Sequence, residues 1–312
     1  MFRRIYSPGG YVRFFNASNC PESLFFTNVV YPVDMNIKNC LENITARFTA
    51  ARFDSPDIEA AYLIAEVTGI RHNLLFFHGE QELTDGELQQ VETFLERRLK
   101  HEPFQYIYGW TEFRYLKLFV GPGCLIPRPE TELLVDLVLQ RIPEKALLCE
   151  VGVGSGAISL SLAYERKSCY VFGSEISDDA LKWAERNRKA LDFKNVEFVS
   201  GNLLEPFKGR KFDAIVANLP YIPYQAEMSL PENVRNYEPK QALYAGDDGL
   251  ALIADLIRQA PDCLKPHGFL FLEIGEDQGK RAVGIAESTR SYSKTELLRD
   301  QYQVDRFLIL SR

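Results

Sequence analysis

The chain has no Cys-x-x-Cys pair, no histidine spaced as a zinc partner, and no apolar run near the roughly 20 residues that a membrane span needs. Its six cysteines, at 20, 40, 124, 149, 169 and 263, are scattered. On those spacings neither a disulfide framework nor a metal centre is expected, and reduced thiols of a cytoplasmic protein are. Histidines number four, and His72, His78 and His101 stand isolated, so no catalytic or metal role is assigned to them. Basic residues are in the minority, 36 against 43 acidic ones, for a net charge of −7. That balance argues against nucleic acid as the main partner, although a local basic patch would override the average. Internal repeats and low-complexity segments are absent. What remains, 46% hydrophobic and 25% charged residues over 312 positions, is a soluble globular profile with room for two domains.

Residues 1–34 carry two arginines near their start but no continuous apolar stretch, because Gly9-Gly10, Asn16 and Pro21 interrupt it. A signal peptide is therefore not expected. The segment also lacks periodicity, so the expectation is a poorly ordered N-terminal extension, or an upstream start that is not used. Met35 opens a patterned stretch. Over 35–110 the spacing is helical: Leu41, Ile44 and Phe48 share a face, Asp54-Ser55-Pro56-Asp57 starts a helix with Ile58, Ala61, Tyr62 and Ala65 behind it, and Gly69 stops it. Thr84-Asp85-Gly86-Glu87 is a capping signal ahead of Leu88, Val91, Leu95 and Leu99. Residues 111–124 alternate as a linking β-hairpin, with Gly121-Pro122-Gly123 as its turn. Pro127 and Pro129 then set an extended approach to a helix that begins at Glu130-Thr131-Glu132.

From Ala146 strands and helices alternate. ALLCEVG, CYVFGSEI, NVEFVS, FDAIVAN and GFLFLEIG are strands, and AISLSLAYER, DDALKWAERNRKAL and 250–264 are helices. That order makes 125–312 an α/β domain with a mostly parallel, Rossmann-like sheet. The tail reads as two strands around Asp300-Gln301, an antiparallel C-terminal hairpin in place of another crossover.

Just past the first strand stands Gly152-Val153-Gly154-Ser155-Gly156, and Glu175 ends the next strand. Glycines admit a ligand close to the backbone, and an acid at that distance can hold two ribose hydroxyls; an ordinary tight turn would also use glycines here. A dinucleotide site would use GxGxxG, and no Walker lysine follows. A nucleoside without phosphates, such as S-adenosylmethionine, suits such a loop. Asn202 and Leu203, after the third strand, would flank its adenine, or form a plain turn. Asn218-Leu219-Pro220-Tyr221 ends the fourth strand. An amide or exocyclic amine nitrogen is a poor nucleophile because its lone pair is delocalised, so a site that methylates one must accept its N–H hydrogens. Asn218 accepts through its side-chain oxygen, Leu219 through its carbonyl, Tyr221 covers the planar group and Pro220 stiffens the turn; positioning and preorganised dipoles do the rest.

EVGVGSG, Glu175 and NLPY, with LIPRPETE upstream and VRNYEPKQALYAGDDGL downstream, resemble the release factor glutamine methyltransferases from about Met35 to the C-terminus. The resemblance implies a helical substrate-recognition domain followed by an S-adenosylmethionine-dependent methyltransferase domain, with no metal. It implies methylation of the side-chain amide nitrogen (N5) of the glutamine in the Gly-Gly-Gln motif of class I peptide chain release factors, modulating translation termination. Gly152, Val153, Gly154, Ser155, Gly156, Glu175, Asn202, Leu203 and Asn218 would hold the cofactor, and Asn218, Leu219, Pro220 and Tyr221 the substrate. One departure stands out: Leu219 replaces the first proline of the usual Asn-Pro-Pro-Tyr. Asn-Leu-Pro-Tyr also resembles the motif of ribosomal RNA adenine dimethyltransferases, which keeps N6-adenine methylation of RNA or DNA as the alternative. Those enzymes carry their helical domain after the catalytic one, and the acidic balance disfavours phosphate contacts. Arg128, Glu130, Glu238 and Pro239 would shape the pocket mouth, tie the domains together or serve as structural ion pairs.

Overall fold

The computed structural model describes residues 35–312 in full and, before them, only the backbone of three antiparallel strands, β1 (Arg3–Tyr6), β2 (Tyr11–Phe15) and β3 (Val30–Pro32). Beyond those strands, the expectation of a poorly ordered extension lies outside the described residues. Two compact units follow the chain, Met1–Glu102 and Pro103–Arg312. The boundary expected after residue 110 falls within the second of these units.

In the first unit, α1 (Ile37–Ala50) buries Ile37, Cys40, Ile44 and Phe48, and Asn36 caps it by accepting the Asn39 N–H at 2.9 Å. The helix α2 (Pro56–Thr68) starts on its proline and stops at Gly69, whose φ of +72° suits glycine. Thr84 and Glu87 form the reciprocal capping box of α3 (Asp85–Arg98), which buries Leu88, Val91 and Leu95. The face expected of α2 was wrong: Ala60, Leu63 and Ile64 are buried, while Ile58 and Tyr62 are exposed. Apolar residues surround most of this helix, so periodicity alone does not choose its buried side. Arg98 spans to Glu59 and Arg47 to Glu92 in two-pronged ion pairs at 2.6–2.8 Å that tie α3 to α2 and to α1.

The second unit opens with α4 (Phe104–Tyr108) and the hairpin β4 (Trp110–Phe113) and β5 (Leu116–Phe119). The hairpin turns at Arg114-Tyr115, not at Gly121-Pro122-Gly123, because Phe113 pairs with Leu116. Arg114 adopts φ +52° there, held by Glu132, Glu165 and Asp136. The hairpin is also no free linker: Asn187 brackets Phe119, accepting its N–H at 2.7 Å and donating to its carbonyl at 2.9 Å.

Then come α5 (Pro129–Arg141), β6 (Leu147–Val151), α6 (Ala157–Glu165), β7 (Tyr170–Glu175), α7 (Asp178–Ala190), β8 (Val196–Ser200) and β9 (Phe212–Ala217). They are followed by α8 (Glu232–Tyr237), α9 (Lys240–Leu243), α10 (Ala251–Gln259), β10 (Leu264–Glu273), α11 (Gly279–Thr289), β11 (Lys294–Arg299) and β12 (Asp305–Ser311). The sheet runs β11-β12-β10-β9-β6-β7-β8, parallel except for β12, which is antiparallel to both neighbours. Both faces are covered. Along β9, Ala214 and Val216 join the core under α5 and α6, while Ile215 and Ala217 join the core under α10 and α11. This is why the strand reads as one apolar run. Chain order reverses between β6 and β9, and such a switch point opens a crevice at the carboxyl ends of the strands.

Candidate active site

The glycine loop occupies that crevice. Gly152, Gly154 and Gly156 have φ of +76°, +57° and +85°, conformations costly for any other residue. A Cβ on Gly154 would meet nothing within 4 Å, so the backbone there faces open space. Glu175 closes β7 opposite, its Oε2 accepting the Gly154 N–H and its Oε1 the Ser177 N–H, each at 2.9 Å. Each oxygen keeps a lone pair for a ligand while the carboxylate itself is immobilised.

A cavity of about 610 Å³ lies against Gly152, Gly154, Glu175, Asn202, Leu203 and Asn218, all expected cofactor residues. Val153, Ser155 and Gly156 do not line it. Val153 is buried in the core, and the Ser155 carbonyl accepts from Asn187 at 2.9 Å, so these residues shape the loop from behind. Of the described residues lining the cavity, Lys240 is the one cation, and it pairs with Glu227 at 2.7 Å. The cavity's one cation is thus matched by an acid of the same lining, which suits a nucleoside without phosphates.

A second cavity, about 210 Å³, adjoins the first. Asn218, Leu219 and Pro220 line both, and Tyr221, Arg128 and Val234 belong to the second alone. Three of the four expected reaction-site residues therefore stand where the two cavities meet, and Tyr221 lines the smaller one. The Leu219 side chain is buried in the core, against the point where Gly152 would carry a Cβ (3.1 Å). Leucine at this position fills space under the glycine loop.

Three residues beyond the expected set hold this corner. Glu273 ends β10 beside the end of β9, since Leu272 pairs with Ala217. Thr131, in the first turn of α5, donates its hydroxyl to Glu273 Oε2 at 2.7 Å and accepts from Asn218 Nδ2 at 3.0 Å. Tyr221 donates its hydroxyl to Glu273 Oε1 at 3.4 Å. Burial pushes the Glu273 carboxyl up to about 7, against the hydrogen bond from Thr131 and the charge of Arg306. Burial, then the neighbouring Glu273, pushes the Tyr221 phenol up to about 12. Gln278 fixes the backbone below, donating to the Tyr221 carbonyl at 2.8 Å. Glu273 carried a signal in the sequence, an acid ending an apolar strand just as Asn218 does; Gln278 carried none.

Arg128 and Glu238 pair with each other at 2.7 Å, inside one unit, and so join two segments of it; Pro239 lines the larger cavity. Among the described residues no helix is long and apolar enough to cross a membrane.

The sequence matches the PrmC N-terminal domain over residues 39–109 and a methyltransferase domain over residues 144–282. It is 40% identical to a release factor glutamine methyltransferase of Salmonella typhimurium over 248 residues, 79% of this chain and 89% of that protein. A second, from Moorella thermoacetica, is 36% identical over 281 residues, 89% of this chain and 99% of that one. A solved protein-(glutamine-N5) methyltransferase (release factor-specific) from Alicyclobacillus acidocaldarius is 26% identical, covering 62% of this chain and 98% of its own, with a TM-score of 0.39. Given the extent and identity of the first two matches, this chain, a methyltransferase, belongs to the release factor glutamine methyltransferase family.

Proposed function

We propose that the protein transfers the methyl group of S-adenosylmethionine to the side-chain amide nitrogen of the glutamine in the Gly-Gly-Gln motif of class I peptide chain release factors, acting in the cytoplasm. The observation that carries this reading is the meeting of two cavities at Asn218-Leu219-Pro220. The larger fits the donor: Glu175 takes the ribose hydroxyls, and Asn202, Leu203 and the exposed Ile176 flank the adenine. When bound there, the sulfonium supplies an electrophilic methyl group. The smaller cavity takes the glutamine side chain between Tyr221 and the apolar wall of Val234 and Leu230.

Asn218 Oδ1 and the Leu219 carbonyl accept the two N–H hydrogens of the acceptor amide. That draws its lone pair away from conjugation and points it toward the donor cavity. Tyr221 keeps water from the planar group. The nitrogen bonds to the methyl carbon as that carbon's bond to the donor sulfur breaks, which leaves a neutral thioether; the proton the nitrogen loses passes to solvent, so the acceptor ends as a neutral N-methyl amide. Each acceptor contributes most where charge develops, since its dipole is already in place.

The test is radiolabelled methyl transfer to three acceptors: unmethylated release factor, the same factor with its motif glutamine changed to alanine, and ribosomal RNA. Label on the wild-type factor alone is expected. Label on RNA would overturn the reading in favour of adenine methylation. Asn218→Ala is expected to abolish transfer while cofactor affinity stays within about threefold; unchanged turnover would remove Asn218 from the mechanism.

A further inference from the structure

The carboxamide of Asn218 can serve as an acceptor only one way round. Its oxygen and nitrogen ends are nearly the same size, and a half-turn about the last side-chain bond exchanges them. The wrong orientation would set an NH₂ group against the N–H hydrogens of the incoming amide. Something must select the orientation, and the contacts around Asn218 supply it.

We infer that Thr131 and Glu273 are positioning residues for methyl transfer, a two-member relay that turns the Asn218 amide oxygen toward the acceptor. This deepens the function proposed above and rests on it. The hydroxyl of Thr131 has one proton and two lone pairs. An ionised Glu273 only accepts, so it claims that proton at 2.7 Å. Thr131 then has only lone pairs to offer Asn218, and a lone pair selects the Nδ2 end, found at 3.0 Å. Oδ1 is the end left for the substrate. All three residues sit on rigid elements: Thr131 in the first turn of α5, Glu273 at the end of β10, and Asn218 directly after β9 in register with it. Thr131 and Glu273 are buried at 4% and 1% exposure, so water does not compete for the bond between them, while Asn218 and Tyr221 are half-buried at the cavity wall. The other oxygen of Glu273 takes the Tyr221 hydroxyl, so one carboxylate steadies both polar ends of the Asn-Leu-Pro-Tyr segment.

Protonation reverses the relay. A neutral Glu273 can donate to Thr131, whose hydroxyl then donates to Asn218, and the amide turns its NH₂ toward the acceptor. The groups that face Glu273 are Thr131 and Glu130 from α5, Tyr221 from the segment after β9, and Arg306 from β12. Of these, Arg306 favours the ionised carboxylate and Glu130 opposes it. The Glu273 carboxyl, lifted to about 7, would therefore impose an acidic limb on turnover near neutrality.

The experiment compares kcat and KM of Thr131→Val, Thr131→Ser, Glu273→Gln, Asn218→Ala and wild type for release factor, from about pH 6 to about pH 8.5. Thr131→Val keeps the shape and loses the hydroxyl, so kcat is expected to fall about 10- to 100-fold with KM for S-adenosylmethionine little changed. Thr131→Ser is expected to restore most of the rate. Glu273→Gln is expected to remove the acidic limb, which wild type and Thr131→Ser retain. A Thr131→Val enzyme within twofold of wild type, or one with the wild-type acidic limb, would overturn the relay. So would a Glu273→Gln enzyme that keeps the limb, which leaves a test even if Thr131→Val fails to fold. Should Asn218→Ala itself keep full turnover, the underlying assignment of Asn218 fails instead; loss in Asn218→Ala with none in Thr131→Val sinks the relay alone.

Discussion

Arg128 Nη2 donates to Glu238 Oε1 across 2.7 Å, and the second oxygen of the same carboxylate accepts the Ile126 N–H at 3.1 Å. The pair joins Ile-Pro-Arg-Pro-Glu-Thr-Glu to Asn-Tyr-Glu-Pro-Lys beside the smaller cavity. Its two ends differ in setting: the Glu238 side chain is 1% exposed and that of Arg128 is 30% exposed. Removing the arginine leaves a buried carboxylate, whereas neutralising the acid leaves a cation that water can reach. Arg128→Met is therefore expected to cost about 2 kcal/mol, discounted from the 3–5 kcal/mol typical of a fully buried pair. Glu238→Gln, which still accepts from Ile126, is expected to cost less. Urea denaturation midpoints of the two variants give the order; the reverse order would show that Arg128 carries no such burden.

Residue pattern revealed the sheet because its strands are apolar on both faces and its loops carry distinct chemistry. Gly152 to Gly156, Glu175 and Asn218 were legible for that reason: each is a polar or conformationally special residue at the end of an apolar run. The hairpin turn at Arg114-Tyr115 was not legible, since it depends on three acids from α5 and α6 that meet only in the folded unit. The buried side of α2 was hidden by its nearly continuous apolar surface. Thr131 looked like an ordinary residue of a first helical turn; its role depends on the register that places Glu273 beside Asn218.

Two glycines should separate the two halves of the site. At Gly249, φ is +71° and a Cβ would stand 2.1 Å from the Tyr221 carbonyl oxygen and 2.5 Å from Gln278 Nε2. The obstacle is backbone already held by Gln278, so no rotamer relieves it. Gly249→Ala is expected to displace Tyr221 and lower kcat by about 100-fold, with cofactor affinity within about threefold. Gly154→Ala meets no neighbour but is strained at φ +57° and projects a methyl toward the cofactor cavity. Its loss is expected chiefly in the Kd for S-adenosylmethionine. Calorimetric titration beside steady-state rates would show both; equal effects of the two substitutions on Kd would contradict this division.

Glu150 makes the protein's stability depend on pH from beneath the glycine loop. It is buried in β6, and its Oε2 accepts both the N–H of Ser159, at 2.9 Å, and the Ser159 hydroxyl. Burial lifts its carboxyl from 4.5 to about 8, with Glu175 adding repulsion and the Ser159 bonds opposing. The folded chain thus holds this proton more tightly than the unfolded one. The resulting stabilisation is complete below about pH 4.5 and is lost as pH rises through about 8. At about 1.4 kcal/mol per unit, the full span is on the order of 5 kcal/mol. Glu150→Gln keeps an oxygen for Ser159 and cannot ionise. It is expected to match the wild type near pH 4 and to exceed it by several kcal/mol near pH 9, read from urea midpoints at each pH. Glu273, also lifted by burial, adds a slope of the same sign in both proteins, so the difference between the two curves isolates Glu150. Parallel curves would mean that the carboxyl ionises in the fold at little cost, through water reaching it or through relaxation of β6 and α6.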